Sequence, residues 1–303
     1  MRTAFIRAVL EIAAQNERVW LLCGDLGYSV LEPFAARFPG RFVNVGVAEQ
    51  NMTGVAAGLA MCGKIVFTYS IANFPVIRCL EQIRNDVCYH NLDVKIVAVG
   101  GGLAYGSQGY THHGVEDLAV TRVLPNMTVL APGDPVEAAL ATRAIVDRRG
   151  PCYLRLGKAG EPVVHRTAPD FAVGRAITLR TGTGVTLISS GATLELTVAA
   201  ADALGLRGVS VRVLSMPTLQ PLDHGAVAAA IRETGGIVTV EEHGGGGLGS
   251  AVAEVIAEIG APVRFRSIRL RSTPSTAAGS QKALLLEHGI SAEQVVQIAL
   301  ELR

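Results

Sequence analysis

The sequence predicts an α/β protein with two doubly wound domains, each built on a mostly parallel sheet. Short apolar runs of strand length alternate along the chain with longer segments whose apolar residues recur at helical spacing. Glycine (34 residues) and alanine are abundant, which suits close packing of helices on strands. The alternation lapses once, near the middle of the 303 residues, and this lapse predicts two domains rather than one.

The first half of the chain reads as a run of strands and helices that begins with a helix over 3–15. Predicted strands follow at 18–25, 41–47, 64–70, 94–102, 127–132 and 151–157. The segments between them at 52–63, 74–90, 114–124 and 135–148 are predicted helices. A glycine-rich loop runs from Gly100 to Gly114. We therefore expect a first domain over residues 1–160.

A polar segment with two prolines, "AGEPVVHRTAPDF", interrupts the pattern, and we expect a linker over 161–182. A second series follows, with strands predicted at 184–191, 209–217, 236–243 and 263–270. Its helices are predicted at 192–205, 223–235, 248–260 and 291–303. A second domain is therefore expected over 183–303.

Composition and charge exclude several classes of partner. Lys and Arg number 27 against 26 Asp and Glu, and no basic run or aromatic-interleaved basic patch occurs. Nucleic acid and anionic membrane surfaces are therefore not expected partners. The first residues lack a signal-peptide core and no apolar run is long enough to cross a membrane, so a cytoplasmic location is expected.

The five cysteines are widely spaced and form no CxxC pair, which disfavours a zinc site or a disulfide framework. We expect them to be buried free thiols. "GGGGLG", Gly244–Gly249, fits the G-x-G-x-x-G pattern of dinucleotide-binding turns. The next strand, "VRFRSIRL", carries no acidic residue for a ribose, and "EEH" places negative charge just before the glycines. A structural turn before a helix is the favoured interpretation.

Two further features have an ordinary and a functional interpretation. Glu49 in "NVGVAEQNM" follows a strand and opens a helix of small residues, where the helix dipole alone favours a carboxylate. His112 and His113 are adjacent in the glycine-rich loop, and adjacent residues rarely bind one metal ion. No metal ligands are therefore assigned, although loops at strand ends of a doubly wound sheet are where ligands bind.

The blocks "GDLGYS", "VGVAEQNM", "TYSIANFPVIRCLEQIRNDV", "GYTHHGVEDLAVTRVLPNM" and "PCYLRLGK" occur in the order and spacing of the pyrimidine-binding domain of transketolases. "VSVRVLSMPTLQPLD" and "GGIVTVEEHGGGGLGSAVAE" resemble the C-terminal domain of that family. The resemblance covers nearly the whole chain. The "GDG…N" motif, which holds Mg²⁺ and the cofactor diphosphate in the family, does not occur. The chain thus resembles the C-terminal subunit of a split transketolase.

This resemblance implies thiamin diphosphate as cofactor, with Mg²⁺ and the diphosphate held mainly by a separate N-terminal subunit that carries the GDG motif. Glu49 matches the glutamate that hydrogen-bonds the pyrimidine nitrogen N1′ and drives formation of the imino tautomer. Phe74 is the first choice for the ring stacked on the aminopyrimidine, with Tyr69 as the second. Cofactor contacts are also implied for Asp25 and Leu26, where Asp25 matches an acidic residue near the thiazolium and the donor sugar.

Substrate contacts follow from the same resemblance. His112 matches the histidine of the family's "TH" pair, which contacts substrate oxygens and is expected to act in catalysis. Arg2, Ser29 and Lys158 fall where the family binds the acceptor's phosphate, and Lys158 replaces the usual Arg. Gln108 stands where transketolases have Asp, and a glycine near Gly100 stands where they have a phosphate-site His. We expect an acceptor unlike ribose 5-phosphate, namely a branched, sulfonated, otherwise modified or differently sized sugar; alternatively, Gln108 rebuilds the usual contact.

The implied activity is transfer of a two-carbon ketol unit from a ketose, expected to be phosphorylated, to an aldose. The implied assembly is an α2β2 heterotetramer with two copies of this chain at its centre. Two enzyme classes remain as alternatives: the β subunit of a 2-oxoacid dehydrogenase and a fragment of a deoxyxylulose-phosphate synthase. A non-catalytic partner subunit is a third alternative, against which the presence of Glu49 and His112 argues.

Overall fold

Two β-sheets organise the chain in the computed structural model, which describes residues 1–302. The first sheet contains β1 (Val19–Cys23), β2 (Phe42–Asn44), β3 (Ile65–Ile71), β4 (Val94–Val99), β5 (Thr128–Leu130), β6 (Cys152–Leu156) and β10 (Thr218–Gln220). The second contains β7 (Ile177–Arg180), β8 (Val185–Ser189), β9 (Val211–Ser215), β11 (Gly236–Val240) and β12 (Arg264–Ile268). The strand orders are β10-β5-β6-β4-β3-β1-β2 and β12-β11-β8-β9-β7.

Both sheets are parallel except at one edge, which confirms the predicted α/β architecture with two mostly parallel sheets. β10 runs antiparallel to β5, and β7 runs antiparallel to β9. The parallel strands are aligned at their carboxyl ends, since Cys23 of β1 pairs with Asn44 of β2 and with Tyr69 of β3. The loops that follow these strands therefore meet at one edge of the first sheet.

Helices cover the sheets on both faces. They are α1 (Arg2–Gln15), α2 (Glu32–Arg37), α3 (Glu49–Met61), α4 (Leu80–Gln82), α5 (Asp117–Arg122), α6 (Pro135–Asp147), α7 (Leu194–Gly205), α8 (His224–Glu233), α9 (Leu248–Ile259), α10 (Gln281–Glu287) and α11 (Ala292–Glu301). A π-helical turn, Ile83–Cys88, continues α4. Local sequence explains several starts: Asp134, for example, accepts a hydrogen bond from the Glu137 amide, and Pro135 opens α6.

Several elements differ from the sequence-based expectation. The predicted helix over 74–90 is replaced by turns up to Cys79, followed by α4 and the π-helical turn. Pro75 lies within those turns. The short elements α2, α10, β7 and β10 were not predicted, and β7 falls inside the segment expected to be a linker. β10 comes from the second half of the chain yet completes the first sheet, so the division into 1–160, 161–182 and 183–303 stays a prediction.

The glycine-rich turn before α9 has its helix N-terminus already occupied. The Glu241 carboxylate accepts hydrogen bonds from the amides of Leu248 at 2.7 Å and Gly249 at 2.8 Å. A Cβ added at Gly247 would lie 2.0 Å from Glu241 Oε2, so glycine is required for this approach. Because a carboxylate of the chain itself fills the place of a pyrophosphate, the turn is structural.

Four of the five cysteines are buried, as expected, but Cys62 is exposed at the end of α3. The expectation of buried thiols is therefore wrong at Cys62, where the segment "MCGK" leaves the sheet surface as the helix ends. None of the helices within residues 1–302 combines the length and the hydropathy that a membrane span requires.

Candidate active site

The carboxyl edge of the first sheet carries most of the predicted site residues. The loop after β1 holds Asp25, Leu26 and Ser29, and the loop after β3 holds Phe74. The loop after β4 holds Gln108 and His112, and the loop after β6 holds Lys158. Glu49 follows β2 as the first residue of α3, Arg2 opens α1, and Tyr69 lies within β3. The parallel arrangement thus brings segments far apart in sequence to one edge, where doubly wound sheets bind ligands.

Glu49 is buried although it opens a helix. Its side chain is 2 % exposed, and the first turn of α3 is a favourable place for a negative charge. Arg78 Nη1 donates to Glu49 Oε2 at 2.8 Å, whereas the partner of Oε1 within residues 1–302 is the Ser70 hydroxyl at 3.5 Å, a weak contact. One carboxylate oxygen therefore remains able to accept a strong hydrogen bond.

Arg78 is a residue of this site that the sequence analysis missed. The sequence shows small residues after Glu49, but the structure places a guanidinium directly beside its carboxylate. The Arg78 Cζ atom also lies 4.7 Å from the centroid of the Phe74 ring. Its position four residues after Phe74 was the available signal, because that spacing brings two side chains to one face of a helical turn.

Phe74 and His112 come from different loops and meet at the site. Their ring centroids are 5.1 Å apart and the planes are inclined by 69°, an edge-to-face arrangement. Asn73 Nδ2 donates to the Thr111 carbonyl at 3.1 Å and joins the two loops beside these rings. The Thr111 hydroxyl and His112 Nδ1 are 3.0 Å apart, which orients the imidazole.

Tyr69, the second choice for the stacking ring, lies in the core. It is 1 % exposed, and its ring stacks on Phe5 of α1 with centroids 5.9 Å apart. Burial raises the pKa of its phenol well above the usual value. A ring enclosed in this way has no free face for a cofactor, so the geometry favours Phe74 as the ring stacked on the aminopyrimidine. That role of Phe74 stays a prediction.

The loop after β1 is tied to the loop after β2 through Asn44, a second residue that the sequence analysis missed. Asn44 Nδ2 donates to Asp25 Oδ1, and Asn44 Oδ1 accepts from the amides of Asp25 and Gly46, all at 3.0 Å. Asp25 adopts a left-handed φ of 56°, which Asp tolerates better than most residues. Its neighbour Leu26 is half-buried and packs on the core that α1 covers.

Lys158 and Arg2 border a third residue missed from sequence, Tyr105. Lys158 Nζ lies 4.7 Å from the Tyr105 ring centroid, and that centroid is 6.4 Å from the centroid of His112. Arg2 is near enough to favour the ionised form of the Tyr105 phenol, although burial outweighs it and raises the pKa. An aromatic residue inside a glycine-rich loop was the available sequence signal.

Gln108 and Ser29 are exposed at the rim. Gln108 ends a short 3₁₀ turn, and Ser29 has a left-handed φ of 61° with its amide donating to Glu32 at 2.7 Å. Within residues 1–302, no hydrogen bond joins either side chain to another predicted site residue. The structure thus places both on the correct edge but does not bring them into contact with the other candidates.

A buried ionic cluster fixes the base of the loop that carries His112. Arg155 Nε donates to Asp117 at 2.9 Å, while Arg155 Nη2 donates to the carbonyls of Gly114 at 2.7 Å and Glu242 at 2.9 Å. Glu242 Oε1 accepts the Leu103 amide at 2.7 Å. Burial raises the pKa of the Glu242 carboxyl to about 7. Residues from both halves of the chain therefore hold this loop in place.

Comparison with known families agrees with this architecture. Residues 1–160 match the model of the transketolase pyrimidine-binding domain, and residues 174–295 match that of the transketolase C-terminal domain. Together the two matches cover most of the chain. It belongs to the transketolase family.

Several relatives of this transketolase chain are named as subunits or as a split-gene transketolase. It is 38 % identical to an apulose-4-phosphate transketolase subunit of Phocaeicola vulgatus, over 99 % of this chain and 96 % of that protein. It is 35 % identical to 6-deoxy-6-sulfo-D-fructose transketolase subunit SqwH of Clostridium sp. strain MSTE9, over 99 % and 94 % of the two lengths. A solved structure described as a split gene transketolase, inactive beta4 tetramer, has 38 % identity and a TM-score of 0.92, over 99 % and 97 %.

These similarities identify the chain as one subunit of a heteromeric transketolase, an enzyme that transfers ketol groups. They support this interpretation over the 2-oxoacid dehydrogenase and deoxyxylulose-phosphate synthase alternatives, because the named subunits match over nearly their full lengths. Family membership also implies dependence on thiamin diphosphate, and the relatives named as subunits imply a separate partner subunit.

The residues around Glu49 in this transketolase fit an aminopyrimidine ring. Oε1 of the buried carboxylate has no strong partner within residues 1–302 and can bond a ring nitrogen. Gly24 lies beside this oxygen, since a Cβ there would be in ordinary contact with Oε1 at 3.6 Å. Phe74 is half-buried and offers an aromatic face beside the carboxylate. A buried carboxylate oxygen beside an aromatic ring can hold a proton at a ring nitrogen while the ring packs on the heterocycle.

Proposed function

We propose that this chain supplies the pyrimidine-binding half of the active site in a two-subunit transketolase. Glu49 binds the pyrimidine nitrogen N1′ of thiamin diphosphate, and Phe74 packs against the pyrimidine ring. Asp25 and Leu26 border the thiazolium side of the site. The observation that carries this proposal is the buried Glu49 carboxylate, which in the described part of the chain keeps one oxygen without a strong donor beside the Phe74 ring.

The partner subunit holds Mg²⁺ and the diphosphate through its GDG motif. We expect α2β2 stoichiometry, with two copies of this chain at the centre, and a cytoplasmic location. The relative named as an apulose-4-phosphate transketolase subunit and the solved beta4 tetramer support a chain that needs a partner and self-associates. Charge-assisted contacts to the diphosphate and its metal ion contribute much of the cofactor affinity in such a division.

Thiamin diphosphate supplies the carbanion chemistry when it is bound, and the side chains of this chain orient and protonate. Glu49 holds or shares a proton at N1′ through its carboxylate. His112, oriented by Thr111, presents its imidazole to substrate oxygens and exchanges protons with them. Arg2, Ser29 and Lys158 receive the acceptor's phosphate at the opposite end of the site.

In the reaction, the C2–C3 bond of the ketose breaks and its two-carbon ketol unit bonds to the aldehyde carbon of the acceptor. The donor leaves as an aldose that is two carbons shorter, so no oxidant or reductant is consumed. Gln108 in place of Asp and Lys158 in place of Arg favour a substrate other than ribose 5-phosphate. The relatives named for apulose 4-phosphate and for 6-deoxy-6-sulfo-D-fructose support a modified or differently sized substrate.

Reconstitution tests this function. The chain is expected to be inactive alone and to bind thiamin diphosphate with Mg²⁺ only weakly in calorimetry. Mixed with the subunit that carries the GDG motif, it should transfer ketol units to aldoses and should not reduce lipoyl groups. Micromolar cofactor binding together with ketol transfer by the isolated chain would contradict the division of the site between two subunits. Lipoyl reduction by the pair would favour the dehydrogenase alternative.

A further inference from the structure

Tyr105 lies beside each of two groups that the proposed function assigns to the acceptor. Its ring centroid is 6.4 Å from the His112 ring, which faces the sugar oxygens. On the other side, Lys158 Nζ lies 4.7 Å from the same centroid, at the proposed phosphate end. A substrate that reaches from His112 to Lys158 must therefore pass along this ring.

The ring occupies volume that Gly100 leaves free. A Cβ added at Gly100 would lie 2.1 Å from Tyr105 Cε2 and 2.3 Å from Cδ2, distances at which one of the two must move. Gly100 also has a left-handed φ of 73°, which disfavours a side chain there. Glycine at 100 and tyrosine at 105 are thus spatially complementary, and the aromatic ring fills a place at the end of β4 that a larger residue at 100 would occupy.

The ring is also held from the phosphate end. Lys158 covers its face, a cation–π arrangement, and Arg2 acts electrostatically on its phenol. The phenol is half-buried, and burial raises its pKa, so it carries no charge that would repel a phosphate. Contacts with Lys158 and the glycine surface leave the side chain little freedom to withdraw when a longer substrate enters.

We propose that Tyr105 is a specificity-determining residue that shortens the acceptor arm of the site. It selects a three-carbon aldose phosphate over a five-carbon one, because the ring fills space that the additional carbons and hydroxyls require. This inference rests on the proposed function and deepens it by naming the length class of the acceptor. A difference of one methylene in a pocket changes kcat/KM by roughly 10- to 200-fold, so two extra carbons should be discriminated measurably.

The test uses the reconstituted two-subunit enzyme with hydroxypyruvate as the ketol donor, since this donor carries no phosphate. kcat/KM is measured for glyceraldehyde 3-phosphate and for ribose 5-phosphate with the wild type, Tyr105→Ala and the matched control Tyr105→Phe. The wild type should prefer the triose phosphate. Tyr105→Ala should raise the ratio for ribose 5-phosphate over the triose phosphate by about tenfold or more. Tyr105→Phe retains the ring and should keep the wild-type ratio.

Two outcomes would overturn the assignment while leaving the proposed function intact. One is an active Tyr105→Ala enzyme with an unchanged ratio, and the other is an equal loss toward both aldoses, which would indicate a general structural role. Thermal unfolding of each variant separates such an equal loss from poor folding, and a Tyr105→Val variant repeats the measurement if Tyr105→Ala does not fold. A wild-type pair that transfers ketol units to no aldose would contradict the proposed function itself.

Discussion

Arg78 donates a hydrogen bond to the Glu49 carboxylate across 2.8 Å while its guanidinium lies 4.7 Å from the centroid of the Phe74 ring. Arg78 thus contacts, at Oε2, the carboxylate whose open Oε1 the proposed function assigns to the pyrimidine ring, and it covers the same aromatic ring. A planar guanidinium stacks on aromatic faces. The Arg78 side chain and the pyrimidine ring therefore compete for the Phe74 face beside Glu49.

Removal of the Arg78 guanidinium should lower the unfolding free energy of the chain but strengthen the binding of thiamin diphosphate. Arg78→Met leaves Glu49 buried without a cation, and we expect a loss of about 1–2 kcal/mol in unfolding free energy, because Arg78 is half exposed and its pairing is partly screened. Thiamin diphosphate binding to the reconstituted pair should become tighter. Denaturant unfolding and calorimetry measure the two effects, with Arg78→Lys as the charge-retaining control. Weaker binding at unchanged stability would instead make Arg78 a direct contact of the cofactor.

Replacing Glu49 by Gln should remove most activity and spare the fold. The amide is nearly isosteric but cannot share the acid proton, and general acid–base contributions are typically about 10²–10⁴-fold. Exchange of the C2 proton of thiamin diphosphate in the reconstituted enzyme reports this step directly. The matched control is Glu293→Gln, which removes an exposed first-turn carboxylate at the start of α11. If Glu49 serves only the helix dipole, Glu49→Gln should lose about 1 kcal/mol or less, and both variants should turn over normally.

Breaking the buried Arg155–Asp117 pair should destabilise the chain strongly. Arg155→Met leaves the Asp117 carboxylate without its cation and frees the Gly114 and Glu242 carbonyls, so we expect a loss of about 3–5 kcal/mol in urea unfolding. The exposed pair Arg143–Glu11 provides the control, where Arg143→Met should cost less than about 1 kcal/mol. Similar losses in the two variants would show that the buried cluster contributes little.

Stability of the wild type should fall as pH rises through the pKa of Glu242. Its folded-state pKa, about 7, lies above the ordinary value, so the folded chain binds more protons between about pH 4.5 and 7 and loses stability across that range. Glu242→Gln should reduce this loss by up to about 3 kcal/mol and flatten the profile. Burial also raises the pKa of Glu241 to about 7, which gives the same slope of stability with pH. Burial lowers the pKa of His243 to about 4, which gives the opposite slope. The informative quantity is therefore the difference in stability between Glu242→Gln and the wild type at each pH. Parallel profiles for the two proteins would contradict the assignment.

The sequence predicted what periodicity and ordered motifs encode. The long buried strands and the helices α3, α6 and α9 were predictable from their apolar patterns, and the resemblance placed Glu49, Phe74 and His112 on one sheet edge. Short elements such as β7 and β10 were not, because three or four residues carry no resolvable period. Arg78, Asn44 and Tyr105 were missed because their importance comes from neighbours far apart in sequence, which only the folded arrangement brings together.

The pairing of β10 with β5 has a consequence for how genes of this kind can be divided. Leu130 is aligned with Thr218, and the Ala131 amide donates to the Pro217 carbonyl at 2.8 Å, so the edge of the first sheet is covered by chain from beyond residue 200. A breakpoint in the coding sequence near codon 160 would produce a polypeptide whose β5 edge has lost its covering strand and invites pairing with other chains. Selection should therefore tolerate fission between this chain and its partner while opposing fission within it, and surveys of gene fusion and fission can look for that asymmetry.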